Sequence, residues 1–185
     1  SSLEVAFLHV VSLLSRLVDA NFVETSNAYQ ANTIAVSTNA QTDSGGYAAY
    51  PDNSRIYDDF DGSDIFMDDS NADPSLSTPN NDLDSLVHEL GHALGLKHPF
   101  SAIDSSGNIA PPPYLESSLE ENNQWTAISY TDSSQYFSAS FRPLDLAALQ
   151  YLYGVSTSAN AGNTTFTFSK SEGTFVYDGQ GIDKI

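Results

Sequence analysis

The stretch His88-Glu89-Leu90-Gly91-His92-Ala93-Leu94-Gly95-Leu96-Lys97-His98 constrains this chain more than any other. His88 and His92 are four residues apart, so on an α-helix they stack on one face and can share a metal ion. Glu89 stands one step round from His88. That is too close in sequence for an easy third ligand, but well placed to reach a water on the metal. His98 comes six residues after His92, and a continuing helix would swing it about 240° away. Gly95 lies between them, and glycine enters the left-handed conformation at little steric cost. A helix that ends there turns the chain and returns His98 to the same point. Three neutral imidazoles with an open fourth position are the ligand set of a catalytic zinc, which lowers the pKa of its bound water to about 7. Glu89 then stands where a general base, and later a proton donor to a leaving amine, is needed. A lone His-x-x-x-His pair is usually a satisfied surface pair, but three of the chain's four histidines fall in this one window.

The rest of the chain frames that stretch. Its 185 residues, 40% of them apolar, make one ordinary domain with length enough for a core. There are 24 acidic residues against 6 basic ones, a formal charge of −18, which argues against nucleic acid and anionic membrane surfaces as partners. Repulsion of that size destabilises the compact state at low salt unless cations bind. With no cysteine there is no disulfide and no thiolate chemistry. No apolar run reaches the roughly 20 residues of a membrane span. The apolar segment from Val5 to Val18 lacks a basic leader and carries His9 and Arg16, so it does not read as a secretory signal.

Taken in order, Leu3, Phe7, Val10, Leu14 and Leu17 recur at helical spacing. Strands are expected at Asn21–Glu24, Thr33–Ser37, Tyr47–Tyr50, Arg55–Tyr57 and Asp64–Met67. Asp58 to Asp64 is an acidic, turn-like run without the spacing of an EF-hand loop. Ser70 to Asn81 is a loop, and a helix follows with Leu83, Leu86, Val87, Leu90, Ala93 and Leu94 on its apolar face and the histidines at its edge. Phe100 to Gln124 shows no periodicity and reads as a surface loop. A closing helix runs from Pro143 to Gly154, with Asp145 in its first turn as a cap. At the end, Asp178-Gly179-Gln180-Gly181-Ile182-Asp183-Lys184-Ile185 follows, except at its first place, the calcium-binding G-G-x-G-x-D-x-U-x nonapeptide of a parallel β-roll.

Gly91 to Pro99, with Gly46-Tyr47-Ala48-Ala49-Tyr50-Pro51 upstream and Ile128-Ser129-Tyr130 and Asp145–Gly154 downstream, resemble the serralysin family of secreted bacterial zinc proteases, a branch of the metzincins. The resemblance runs from about Asn21 to the end. It implies an α+β metzincin catalytic domain over residues 1–155: a twisted, mixed, mostly parallel sheet with an antiparallel edge strand on long helices. The start of a calcium-binding, RTX-like β-roll follows over 156–185. It implies zinc on His88, His92 and His98, and hydrolysis of peptide bonds in extracellular proteins with Glu89 as general base. Tyr130 matches the tyrosine that donates a hydrogen bond to the tetrahedral intermediate. Asp64, Ile65 and Phe66 match the edge strand, which would pair with an extended peptide substrate. Calcium ligands would come from Asn160, Gly162, Thr164, Asp178, Gln180 and Asp183, several through backbone oxygens.

The sequence departs from the family in places. The single methionine is Met67, so the turn that carries a methionine beneath the zinc has Ile128 instead. Asn160 replaces the family's usual arginine. The strand that normally precedes the first helix has no counterpart before Leu3, and the ending looks like a cut at the β-roll junction. Export by a C-terminal signal beyond this chain, a monomeric state and a proteinaceous inhibitor as partner are what the resemblance adds. The alternative is a non-catalytic zinc- and calcium-binding module that binds extended peptides.

Overall fold

Helix α1 (Ser2–Leu14) begins in a capping box: the Ser1 hydroxyl accepts the Glu4 N–H at 3.2 Å, and the Glu4 carboxylate takes the Ser1 amino group at 3.1 Å. It buries Leu3, Ala6, Val10, Val11 and Leu14. The expected stripe runs on to Leu17 and Val18, but the helix stops first. Val18 instead forms an antiparallel bridge with Val155, so its apolar side chain is buried without helical geometry. These coordinates are a computed structural model describing residues 1–28, 30, 32–51, 63–101, 103, 109, 112–115, 119–133, 140–167 and 176–185, with Asn71 by its backbone alone.

Among the described residues, three strands form one small mixed sheet: β1 (Val36–Asn39), β2 (Gly46–Ala48) and β3 (Ile65–Asp68), in the order β1-β3-β2. β1 runs parallel to β3 and β2 antiparallel to it. Ile65 and Met67 alternate into the core and are fully buried, which fixes the register of β3. Asp64 Oδ1 accepts the Ala35 N–H at 3.0 Å and Asp68 Oδ1 the Gln41 N–H at 2.9 Å. These two buried carboxylates pin the chain at both ends of β1.

The sheet corrects the expected order. Asp64–Met67 is not the edge strand: β3 is paired on both sides, and β2 is the antiparallel edge among the described residues. Asp64 and Ile65 are accordingly buried, with only Phe66 partly exposed. Asn21–Glu24 forms no strand, and Val23 is 76% exposed, so its apolar side chain gains no burial that would align the segment. The expected strand at Arg55–Tyr57 and most of the acidic run from Asp58 lie outside the described residues.

Helix α2 (Asn81–Ala93) starts at Asn80, whose side chain accepts the Leu83 N–H at 3.2 Å, with Asp82 and Asp84 in the first turn where the helix dipole favours them. It buries Leu83, Leu86, Val87 and Leu90 completely. Helix α3 (Pro143–Tyr153) has proline in its first turn and ends at Gly154, φ +89°. One apolar core joins α1, α2, α3 and β3. Beyond α3, the described part of 156–185 holds no strand, only a parallel bridge between Thr165 and Lys184. Tyr177 packs against the main core and donates its hydroxyl to Ser156 O at 2.7 Å.

Candidate metal centre

The C-terminus of α2 builds the site. Gly95, at φ +96°, takes the left-handed conformation. Its N–H reaches His92 O at 2.9 Å, and the Leu96 N–H reaches Gly91 O at 2.9 Å. That pair of bonds is a Schellman motif. It reverses the chain and does two things for the histidines. It returns His98 to the helix face, and it presents Leu96 O to His92 Nδ1 at 2.7 Å. A second segment reaches His88: Ala127 O lies 2.8 Å from His88 Nδ1.

A carbonyl only accepts, so both Nδ1 atoms carry the proton, and the Nε2 atoms of His88 and His92 present bare lone pairs. Those lone pairs are 3.1 Å apart, and His98 Nε2 lies 3.2 Å from His92 Nε2 and 3.4 Å from His88 Nε2. Facing lone pairs at that distance repel unless a cation lies between them. Zinc–nitrogen bonds of about 2.0–2.1 Å in a tetrahedron give nitrogen–nitrogen edges of about 3.3–3.4 Å, so the three imidazoles fit that ion. They are the cluster of metal-ligand type among the described residues.

Burial keeps the imidazoles neutral, as ligands must be. Desolvation first, then His92 and His98 nearby, pushes His88 down to about 3. Burial and then the neighbouring His92 and Lys97 push His98 down to about 4. Burial likewise lowers His92. The Glu89 carboxyl goes the other way: burial alone raises it to about 7. Its side chain lies under the edge strand, because a Cβ on Gly46 would sit 3.1 Å from Glu89 Cγ. Among the described residues no hydrogen bond or ion pair holds this carboxyl.

Aromatic rings wall the centre. Tyr130 stacks on His88 with centroids 5.4 Å apart and lies 4.7 Å from His98. It is 69% exposed, and burial of the rest, with Glu89 and Tyr50 close by, raises its phenol. Phe100 stacks on His98 at 4.9 Å, and Tyr50 meets His92 edge-on at 5.4 Å. Neither ring was singled out from the sequence. Tyr50 lies in the Gly46–Pro51 stretch, whereas Phe100 carries no spacing signal. Below the histidines, Ile128 packs on the helix: a Cβ on Gly91 would lie 2.3 Å from its Cδ1. Asp145 does more than cap α3. Its carboxylate accepts the Arg142 N–H at 2.9 Å, the Ala127 N–H at 2.7 Å and the Thr126 hydroxyl at 2.6 Å. The loop after the histidines is tied back by Lys97 Nζ, which donates to Pro113 O at 2.9 Å beneath the Tyr114 ring.

The tail brings together part of the expected calcium set. Gly162 O would lie 2.6 Å from a Cβ on Gly181, so only glycine permits this approach. Asp183 Oδ1 accepts the Thr164 N–H at 2.8 Å, and the Thr164 hydroxyl donates to Gly162 O at 3.0 Å. Asn160 donates its side-chain amide to Tyr177 O at 2.8 Å, leaving its own carbonyls available. Asp178 Oδ2 is buried without a hydrogen-bond partner among the described residues, a cost that a cation would remove. Gln180 is exposed. Asn163, not singled out from the sequence, accepts the Ile182 N–H at 2.9 Å.

A small α+β fold with three converging imidazoles, beside a buried carboxyl that is unpaired among the described residues, defines a site fit for a metal ion. No family model matches the chain. Curated proteins do. It is 35% identical over 101 residues to the serralysin of Proteus mirabilis, covering 50% of this chain and 20% of that protein. It is 31% identical over 139 residues to serralysin B of Dickeya chrysanthemi, covering 70% of this chain and 27% of that one. It is 29% identical over 128 residues to the metallopeptidase AprA of Pseudomonas marginalis, covering 62% and 26%. The chain is thus a relative of the serralysin-family metalloproteases, and its matches span about a fifth to a quarter of their length.

Proposed function

We propose that the chain is the metal-bearing part of a secreted zinc endopeptidase that cleaves extended segments of extracellular proteins. The observation that carries this reading is the convergence of three Nε2 atoms within 3.4 Å beside a buried carboxyl with no partner among the described residues. A purely structural zinc has no use for that carboxyl, so the binding-module alternative is the weaker one.

His88, His92 and His98 would hold the ion. Zinc bound there supplies Lewis acidity: it lowers the pKa of a coordinated water and polarises a carbonyl. Glu89, raised to about 7, is poised to take a proton at its carboxylate and to return it to the leaving amine. The Tyr130 phenol, still protonated at neutral pH, would donate to the oxygen on which charge develops.

The edge strand that would receive substrate is β2. Ala49 N–H goes to Asp64 O and Asp68 N–H to Gly45 O, each at 3.0 Å. Alternation in an antiparallel pair therefore turns the backbone groups of Gly46 and Ala48 outward. An extended peptide can pair with them, and Gly46 lies directly over Glu89. Calcium would order the tail through Asp178, Asp183 and backbone oxygens, Gly162 O among them, an all-oxygen set that suits this ion. Residues 1–155 and 156–185 would then be a catalytic unit and the start of a β-roll.

Metal removal tests the reading. Stripping zinc with a chelator should stop cleavage of casein, and one equivalent of zinc should restore it. Calcium alone should restore nothing but should protect the tail from an added protease. Casein cleavage that survives complete zinc removal would refute the proposal.

A further inference from the structure

We infer that Thr126 and Asp145 are positioning residues for the metal centre, joined to His88 by a one-way hydrogen-bond relay through the Ala127–Ile128 peptide. The inference rests on the zinc reading above. His88 Nδ1–H donates to Ala127 O at 2.8 Å. The same peptide unit carries the Ile128 N–H, which donates to the Thr126 hydroxyl oxygen at 3.2 Å. The Thr126 hydroxyl donates in turn to Asp145 Oδ1 at 2.6 Å.

Every donor in this series points the same way, toward the carboxylate. A series of hydrogen bonds with one sense polarises each member. The Asp145 charge makes the Thr126 oxygen a better acceptor for Ile128 N–H. The polarised peptide makes Ala127 O a better acceptor for His88. The imidazole then has more electron density at Nε2, the atom that faces the metal position. His88, Thr126 and Asp145 are all buried, so water does not short-circuit the series.

The other contacts of Asp145 show what holds the relay in place. Its second oxygen accepts the Ala127 N–H at 2.7 Å and the Arg142 N–H at 2.9 Å. All three contacts are donors, so the group is satisfied as a carboxylate. Asp145 therefore ties the first turn of α3 to the segment that orients His88, 39 residues along the chain from that histidine. His92 needs no such tie, since its carbonyl partner comes from the turn that ends its own helix. The Ile128 side chain meanwhile packs on Gly91, between the two histidines of α2.

The test is zinc affinity of the full chain, read by competition with a chromogenic chelator, for the parent, Thr126→Val, Thr126→Ser and Asp145→Asn. Folding of each is checked by circular dichroism, and the melting temperature is taken without metal. Thr126→Val keeps the shape and deletes the hydroxyl, so zinc should bind about 10–100-fold more weakly, the usual cost of losing such outer support. Thr126→Ser restores the hydroxyl and should return affinity close to the parent's. Asp145→Asn should weaken binding as Thr126→Val does; if it fails to fold, the Thr126 pair decides alone. Parent-like affinity in Thr126→Val overturns the relay, as does an equal loss in Thr126→Ser. A parent that binds no zinc overturns the metal reading as well, which separates the two failures.

Discussion

Ile128 and Gly91 show how tightly single residues are fitted beneath the histidines. A Cβ on Gly91 would lie 2.3 Å from Ile128 Cδ1 and 3.4 Å from its Cγ1. Overpacking a buried contact costs about 1–3 kcal/mol, which exceeds the gain of up to about 1 kcal/mol from replacing a helical glycine with alanine. Gly91→Ala should therefore lower the melting temperature. Valine lacks the clashing Cδ1, so most of that loss should vanish in an Ile128→Val background, as a double-mutant cycle in denaturant would show. Additive costs would mean that Gly91 is needed for another reason. The sequence marks both residues: Gly91 within the histidine motif, and Ile128 where a methionine is usual. It does not show that they touch, because contact between residues 37 apart depends on how two segments dock. The orienting carbonyls of Ala127 and Leu96 escape a side-chain reading for the same reason: every residue has a carbonyl, and only the fold says which one matters.

At the scale of elements, α2 is the part most legible in sequence. Its apolar spacing, the polar loop before it and Gly95 after it locate the helix to within about two residues. Those are local signals, and local signals are what a sequence states directly. The sheet was less legible. Asp64–Met67 alternates correctly and matches β3 to within one residue, but whether a strand is central or at an edge depends on partners far away in sequence. The difference bears on the proposed function, where an extended substrate would pair with β2. Ala48→Pro deletes one outward N–H at a position where an edge strand tolerates proline. It should raise KM for unfolded casein several-fold and leave zinc affinity unchanged. An unchanged KM would remove β2 from the account of substrate binding.

At the scale of the whole molecule, burial shifts the proton affinities of the site's groups, and this couples the site to stability. In the metal-free protein the folded values of His88 and His98, about 3 and about 4, lie below the ordinary 6.5. The unfolded chain therefore binds these protons first as pH falls. Their contribution to stability is intact above about pH 6.5 and is lost progressively down to the folded values. Glu89 opposes this, since a carboxyl raised to about 7 favours the fold at low pH and loses that advantage as pH rises through 7. Burial also raises the Asp84 and Asp145 carboxyls, which act in the same sense as Glu89, so the histidine contribution is read as a difference between parent and variant. Between about pH 4.5 and 6.5, the melting temperature of the metal-free parent should gain on that of His88→Ala as pH rises. An identical slope in the variant would show that His88 is not buried neutral. The formal charge of −18 was plain from composition, but composition does not say where charge is tolerated. The buried carboxylates Asp64, Asp68 and Asp145, each accepting backbone N–H groups, become visible only in the folded chain.

The central claim is that the three imidazoles and Glu89 form a hydrolytic centre. The most direct measurement compares the parent with Glu89→Gln on unfolded casein, with zinc present, products read by mass spectrometry and zinc content measured in both samples. The parent should cleave and the variant almost not at all, with about one zinc per chain in each. Equal cleavage by both, or a zinc-loaded parent that cuts nothing, would contradict the claim.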